Sequence, residues 1–134
     1  MPSRPEFPIG VFDSGIGGLT VARALMQHLP NERILYFGDT ARVPYGVKSA
    51  DTIAQYAIQI ADFLLERQVK LLILACNTMA AVAASAIRAR APVPVLDVIE
   101  VGAQVAAHST RNRHVGVIGT LTTVGSGAYD AAIH

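Results

Sequence analysis

Strand and helix patterns alternate along the whole of this 134-residue chain, and this alternation limits the possible folds more than any other feature. Short apolar runs bounded by turn residues predict buried parallel strands, and the segments between them carry apolar residues at helical spacing. Crossovers between such strands are right-handed, because the other hand does not pack back onto the sheet. The sequence therefore predicts an α/β fold with a doubly wound, mostly parallel sheet.

These patterns predict five strands and five helices. The strands cover residues 8–12, 33–38, 71–75, 93–97 and 114–119. The helices cover residues 19–29, 49–64, 79–90, 101–108 and 123–133. Ser49 is the expected N-cap of the second helix, and Pro44 and Gly46 predict a loop over residues 40–46.

Composition excludes several classes of function. Apolar residues make up 51% of the chain and charged residues 16%, which excludes a disordered protein. A net charge of +1 gives no electrostatic basis for binding nucleic acid or an anionic membrane, and no apolar stretch approaches the ~20 residues of a membrane span. A single cysteine cannot form an internal disulfide. We therefore expect a cytoplasmic protein that binds neither nucleic acid nor membrane.

The single cysteine, Cys76, directly follows the third apolar run, and Asn77 and Thr78 then open an alanine-rich helix. The sulfur is thus expected at the carboxyl end of a central strand, where open α/β sheets bind ligands. The amides and dipole of a helix N-terminus favour thiolate over thiol. A lone cysteine is more often a small buried hydrophobe, but Asp13 and Ser14 follow another strand at the same edge. Cys76 is therefore a candidate reactive group.

The segment from Asp13 to Gly18 lies where a dinucleotide-binding fold carries its phosphate loop. The G-x-G-x-x-G fingerprint fails because Thr20 stands where the third glycine belongs. A carboxylate at this position would also repel a pyrophosphate. Asp13 suits a ligand ammonium, or a neighbour that gains and loses protons, and a capping aspartate with turn glycines explains the segment equally well.

Two helix starts and one loop offer further candidate ligand contacts. Asn77 and Thr78 could hold a carboxylate, although simple N-capping would also explain them. Thr120 and Thr123 repeat that arrangement after the fifth predicted strand, so a ligand with two carboxylates would fit. The Tyr45-Gly46 pair could close over a ligand, and a plain surface turn is an equal alternative.

Nothing in the sequence predicts a metal or a cofactor. The four histidines are scattered, with no pair at metal-ligand spacing. Neither Lys48 nor Lys70 lies where a Schiff-base lysine would be expected, so pyridoxal phosphate is not indicated.

Four segments, taken together, closely resemble the glutamate racemases of the aspartate/glutamate racemase superfamily. They are residues 11–20 (V-F-D-S-G-I-G-G-L-T), 44–49 (P-Y-G-V-K-S), 75–78 (A-C-N-T) and 117–120 (V-I-G-T). Within the superfamily, the D-S-G-x-G-G and P-Y-G-x-K-S segments point to the glutamate enzymes. The resemblance implies a cofactor-independent isomerase that interconverts L- and D-glutamate for peptidoglycan synthesis. It also implies glutamate as the small-molecule partner and pairing into a homodimer.

The resemblance further implies roles for individual residues. In that family two cysteines flank the α-carbon: one thiolate removes the α-proton and the opposite thiol returns a proton to the other face. Cys76 matches the first of these cysteines, and Asp13 beside it would assist the sulfur or hold the substrate ammonium. The matching substrate contacts are Asp13, Ser14, Tyr45, Gly46, Asn77, Thr78, Thr120 and Thr123.

The chain departs from the family in one major respect. The second cysteine of the family lies in a G-C-T-H motif, which is absent here, and family members have two similar α/β domains. We therefore expect residues 1–98 to form the first racemase domain without its C-terminal segment, and residues 99–134 to begin the second. Since one acid–base group contributes about 10²–10⁴-fold, we expect this chain alone not to racemise glutamate at a useful rate.

Three other interpretations stay open at this stage. The chain could be a non-catalytic module that binds an amino acid or forms a dimer. It could also derive from a racemase of aspartate or a related amino acid. A redox or thioester-forming cysteine enzyme is the third, although no resolving cysteine or nearby base motif supports it.

Overall fold

The computed structural model describes residues 5–134 of the chain, and within them four strands form one sheet in the order β2-β1-β3-β4. All three strand pairings are parallel. The strands are β1 (Ile9–Asp13), β2 (Ile34–Gly38), β3 (Leu71–Leu74) and β4 (Val95–Asp97). The predicted α/β fold with a parallel sheet is confirmed.

Six helices connect and follow these strands in the described part of the chain. They are α1 (Leu19–His28), α2 (Ala50–Glu66), α3 (Asn77–Arg90), α4 (Val98–Ser109), α5 (Leu121–Gly125) and α6 (Ala128–Ile133). Two short 3₁₀ turns, Thr40–Arg42 and Tyr45–Val47, occupy the loop after β2. The Ser49 hydroxyl caps α2 as predicted, accepting a hydrogen bond from the Thr52 amide at 3.2 Å.

Both faces of the sheet are covered by helices. Alternate side chains of a strand point to opposite faces, so Phe12 of β1 packs with α2 and α3 in the larger core, whereas Val11 packs with Val21 and Leu25 of α1. The larger core also contains buried residues of α2 and α3, among them Ile53, Ile60, Leu64, Met79 and Ile87. The sheet is therefore buried on both sides, as a doubly wound fold requires.

The predicted fifth strand is wrong: residues 114–119 are assigned to no strand. A strand obtains its hydrogen bonds from a neighbouring strand, and this segment pairs with none of the four described strands. Its apolar side chains are poorly covered, with Ile118 98% exposed and Val115 39% exposed. Apolar composition alone therefore misidentified an unpaired segment as a strand.

Several helix boundaries also differ from prediction. The helix α3 begins at Asn77 instead of Met79, because Cys76 acts as its N-cap. The helix α4 begins at Val98 instead of Val101, because the Asp97 carboxylate accepts from the Glu100 amide at 2.9 Å. The helix predicted over residues 123–133 is two helices, separated where Gly127 adopts a left-handed φ of 69°.

Within residues 5–134, no helix has both the length and the apolar character needed to cross a lipid bilayer.

Candidate active site

The two central strands bring Asp13 and Cys76 to the same edge of the sheet. Strands β1 and β3 are parallel neighbours, with Phe12 opposite Leu74, and the Ala75 amide donates to the Phe12 carbonyl at 2.9 Å. Asp13 ends β1 and Cys76 comes two residues after Leu74. The predicted meeting of these groups at the carboxyl edge of the sheet is confirmed.

The Cys76 sulfur is held by two neighbours at the start of α3. The Met79 amide donates to Sγ at 3.5 Å, and the thiol donates to the Ser14 hydroxyl oxygen, also at 3.5 Å. The side chain is buried, with 7% of the residue exposed. Since a hydroxyl can accept from a thiol and donate to a thiolate, Ser14 can stay bonded to the sulfur in both protonation states.

Burial raises the pKa of the Cys76 thiol above its ordinary value, and the nearby charge of Asp13 raises it further. The Met79 amide and the Ser14 hydroxyl lower the pKa, as expected at a helix start, but they do not outweigh burial. The helix start therefore favours the thiolate as expected, but burial sets the net direction of the pKa. A sulfur with a raised pKa is a thiol at neutral pH, and its thiolate is the stronger base once formed.

Asp13 is buried and anchors the turn that follows β1. Its Oδ2 accepts hydrogen bonds from the amides of Gly18 at 2.8 Å and Gly15 at 3.3 Å. A Cβ at position 18 would lie 2.7 Å from the Asp13 Cβ, so this turn needs glycine for close packing. Asp13 also lines the cavity described below, so the residue that anchors the turn is accessible from the cavity.

Three threonine hydroxyls join α3 to the segment at the start of α5. The Thr78 Oγ1 lies 3.0 Å from the Thr120 Oγ1 and 3.4 Å from the Thr123 Oγ1, and the latter two are 3.0 Å apart. The Thr120 hydroxyl also caps α5, accepting from the Thr123 amide at 3.2 Å. The sequence prediction placed these residues at two separate helix starts, and the structure brings them into one cluster.

An open cavity of about 520 Å³ lies at this edge of the sheet. Among its lining residues are six of the predicted site residues: Asp13, Cys76, Asn77, Thr78, Thr120 and Thr123. Cavities of this size hold small molecules. In residues 5–134, no group of three or more His, Cys, Asp or Glu side chains could hold a metal ion.

The loop after β2 stands beside the cavity and does not line it. Tyr45 is buried, and its hydroxyl donates to Asp39 Oδ2, which also pairs with Arg42 Nε at 2.6 Å. Burial and the Asp39 carboxylate raise the pKa of the Tyr45 phenol. Gly46 packs on the threonine cluster, since a Cβ there would lie 2.9 Å from Thr120 Cγ2. Direct ligand contact by Tyr45, Gly46 or Ser14 therefore stays a prediction.

Two aromatic residues at the site were not identified from the sequence. Tyr36 of β2 donates its hydroxyl to the Gly15 carbonyl at 3.0 Å, and burial, Asp13 and Cys76 raise its pKa to about 12. Tyr129 of α6 lines the cavity, and its hydroxyl donates to Asn77 Oδ1. The hydrogen-bond partners of these tyrosines, Gly15 and Asn77, are distant from them in sequence, so no local motif identifies the two tyrosines as site residues.

Comparisons with known proteins agree with this geometry. A model of the Asp/Glu/Hydantoin racemase family matches residues 19–134. A glutamate racemase of Syntrophus aciditrophicus is 68% identical over 132 residues, which is 98% of this chain and 49% of that protein. One from Neisseria meningitidis is 62% identical over 128 residues, 95% of this chain and 47% of that protein. The chain thus spans about half the length of the curated relatives it matches.

Solved structures of glutamate racemases also match this chain over about half of their own length. The glutamate racemase of Bacillus anthracis matches with a TM-score of 0.95 and 40% identity, covering 98% of this chain and 49% of that one. The enzyme of Francisella tularensis, solved in complex with D-glutamate, matches with a TM-score of 0.91 and 48% identity over the same shares. The chain therefore belongs to the Asp/Glu/Hydantoin racemase family.

Proposed function

We propose that this chain provides one half of the active site of a glutamate racemase, which interconverts L- and D-glutamate without a cofactor and supplies D-glutamate for peptidoglycan. One observation carries the proposal: Cys76 lies at the carboxyl edge of the sheet on a cavity that Asp13 and the threonine cluster of Thr78, Thr120 and Thr123 also line. The names of the matched relatives and the D-glutamate complex of one of them support glutamate as the substrate.

In the proposed reaction, the Cys76 thiolate removes the α-proton of glutamate. The C–H bond breaks, an S–H bond forms, and the electron pair passes into the adjacent carboxylate as an enediolate. The raised pKa of Cys76 makes its thiolate a stronger base for this weakly acidic proton. A positive substrate ammonium near Asp13 and Cys76 would favour ionisation of the thiol.

Inversion requires a proton donor on the opposite face of the carbanion. Cys76 is the single cysteine of this chain, so the opposite thiol must come from outside residues 1–134. When that thiol returns a proton to the α-carbon, inversion is complete, and the resulting thiolate can act as the base in the reverse direction. We therefore propose that the 134-residue chain alone does not racemise glutamate at a useful rate.

Donor groups at the start of α3 and in the threonine cluster could bind the carboxylates of glutamate. Asn77 and Thr78 line the cavity at the N-terminus of α3. Thr120 and Thr123 lie next to Thr78 and also line the cavity, and their hydroxyls can redirect their hydrogens toward a bound oxygen. We propose these groups as the carboxylate contacts, with Ser14, Tyr45 and Gly46 supporting them from behind.

We also propose that residues 1–98 belong to a first domain, that residues 99–134 begin a second, and that the longer protein forms a homodimer. The end of β4 at Asp97 and the start of α4 at Val98, next to the proposed boundary, support this division. Exposed Val101 and Val105 on α4 support a surface that pairs with another polypeptide. Sedimentation of the longer protein as a monomer would contradict the dimer.

Proton exchange at the α-carbon tests the proposed chemistry directly. In D₂O, NMR follows loss of the glutamate α-proton, and circular dichroism follows conversion of L- to D-glutamate. A protein that also contains the G-C-T-H half is expected to catalyse both, and Cys76→Ala is expected to reduce exchange by at least about 10²–10⁴-fold. The matched control is Gly116→Ala, since a Cβ at this position has no atom within 4 Å.

Two outcomes would contradict the proposal. Undiminished exchange in Cys76→Ala would remove this sulfur from the mechanism. Racemisation by the 134-residue chain near the rate of an intact enzyme would show that no second half is needed. A panel of L-glutamate, L-aspartate and L-glutamine with the longer protein separates a glutamate racemase from its aspartate-specific relatives.

A further inference from the structure

The Asn77 side chain is held by a residue that lies 52 positions later in the chain. The Tyr129 hydroxyl donates a hydrogen bond to Asn77 Oδ1. Both residues line the cavity that contains Cys76. Asn77 is the first residue of α3, so this contact reaches the helix start from the far end of the chain.

The turn between α5 and α6 places Tyr129 at this position. Gly127 takes a left-handed φ of 69°, which a residue with a Cβ rarely adopts, and this separates α5 from α6. Ser126 secures the turn by donating to the Thr123 carbonyl at 2.7 Å and accepting from the Ala128 amide at 3.1 Å. The helix α6 then packs along α4, where the Tyr129 ring lies beside Gly102.

The hydrogen bond determines which atoms of the Asn77 amide a ligand meets. A primary amide has one acceptor oxygen and a nitrogen with two donor hydrogens. A tyrosine hydroxyl that donates to Oδ1 occupies the oxygen and fixes the rotation of the amide. The Nδ2 group is then left as the donor, and a donor suits a carboxylate, whereas a free amide can rotate and present its oxygen.

We propose that Tyr129 is a positioning residue for Asn77: it orients the amide so that Nδ2 donates to a carboxylate of the substrate. This inference rests on the proposed function, because glutamate supplies the carboxylate. Tyr129 makes the site selective for an anion at this position without itself carrying charge.

The substitution Tyr129→Phe removes the hydroxyl and keeps the ring. In the ¹⁵N-labelled 134-residue chain, we expect the heteronuclear NOE of the Asn77 side-chain amide to fall, because its rotation is no longer fixed. The matched control is Tyr56→Phe, since Tyr56 lies on α2 and is not among the residues that line the cavity. Calorimetric titration with L-glutamate is expected to show binding weakened about five- to tenfold in Tyr129→Phe.

A double-mutant cycle separates positioning from a general structural role. With Asn77→Ala as the background, Tyr129→Phe is expected to cause no further loss of glutamate binding, because the amide it orients is absent. An equal loss in both backgrounds would overturn the inference. A fall in backbone order throughout α6 and α3 in Tyr129→Phe would also overturn it, since Tyr129 would then be structural.

The two proposals fail in different ways. If the unmodified chain does not bind glutamate, the proposed carboxylate contacts of this chain are wrong, and the Asn77 amide NOE still decides whether Tyr129 orients it. If the chain binds glutamate and the NOE is the same in Tyr129→Phe as in the unmodified chain, the positioning role is overturned and the proposed function stands.

Discussion

A methyl group at Gly38 would test how firmly the turn after β1 is held beside the Cys76 sulfur. A Cβ at this position would lie 2.2 Å from the Gly15 carbonyl oxygen, whereas real Cβ contacts essentially never fall below 3.0 Å. The oxygen must therefore move by about 0.8 Å, the difference between those two distances. The Tyr36 hydroxyl donates to this same oxygen at 3.0 Å, so the movement also disturbs that bond.

The expected cost of Gly38→Ala follows from these contacts. Overpacking of this kind costs about 1–3 kcal/mol, and a lost hydrogen bond costs about 1 kcal/mol more. Reduced entropy of the unfolded chain returns about 0.4–1 kcal/mol. We therefore expect the free energy of unfolding to fall by about 1–3.5 kcal/mol, measured by urea denaturation followed by circular dichroism.

The control for Gly38→Ala is Gly116→Ala, because no atom lies within 4 Å of a Cβ at position 116. Its free energy of unfolding is expected to stay within about 0.5 kcal/mol of the unmodified chain. Coincident denaturation curves for Gly38→Ala and the unmodified chain would refute the reasoning, since the turn would then accommodate the methyl group with no loss in the free energy of unfolding.

Two further predictions concern the sulfur and the threonine cluster. The rate of Cys76 alkylation by iodoacetamide should still rise with pH above pH 9.0, because the thiolate is the reactive form and burial raises the pKa of Cys76 above that ordinary value. The substitution Ser14→Ala should raise this pKa further, because it removes a hydroxyl that stabilises the thiolate. An alkylation rate that reaches a plateau below pH 9 would contradict both expectations. Thr78→Val removes the hydroxyl that bonds Thr120 and Thr123, so we expect a loss of about 1–2 kcal/mol in the free energy of unfolding and faster amide hydrogen exchange in α5. Exchange rates in α5 that do not change would show that the cluster does not hold this helix.

The sequence predicted the sheet and the position of Cys76 because both depend on local patterns. The apolar runs that form β1 and β3 are bounded by turn residues, and parallel neighbours necessarily end at one edge. The net pKa of Cys76 depends instead on a balance of burial against helix-start amides, and burial is not visible in a local sequence pattern. The Met79 amide lowers this pKa, as the sequence led us to expect, and burial outweighs it.

The remaining differences come from contacts distant in sequence. Residues 114–119 have the composition of a strand, but pairing requires a neighbour that the pattern cannot supply. Ligand contact by Tyr45 stays a prediction, and its hydrogen bond to buried Asp39, six residues earlier, was not expected from the sequence. Tyr129 is bonded to Asn77 across 52 positions of the chain, a contact that no local pattern predicts.

The sulfur of Cys76 has a structural role, because it accepts the hydrogen bond that closes the first turn of α3. A reagent that forms a covalent bond to this atom would weaken the acceptor and crowd the helix start at the same moment. Compounds that modify Cys76 covalently should therefore lower the melting temperature of the protein. Reversible ligands that leave the sulfur free should raise it, so a thermal-shift screen can tell the two kinds of compound apart.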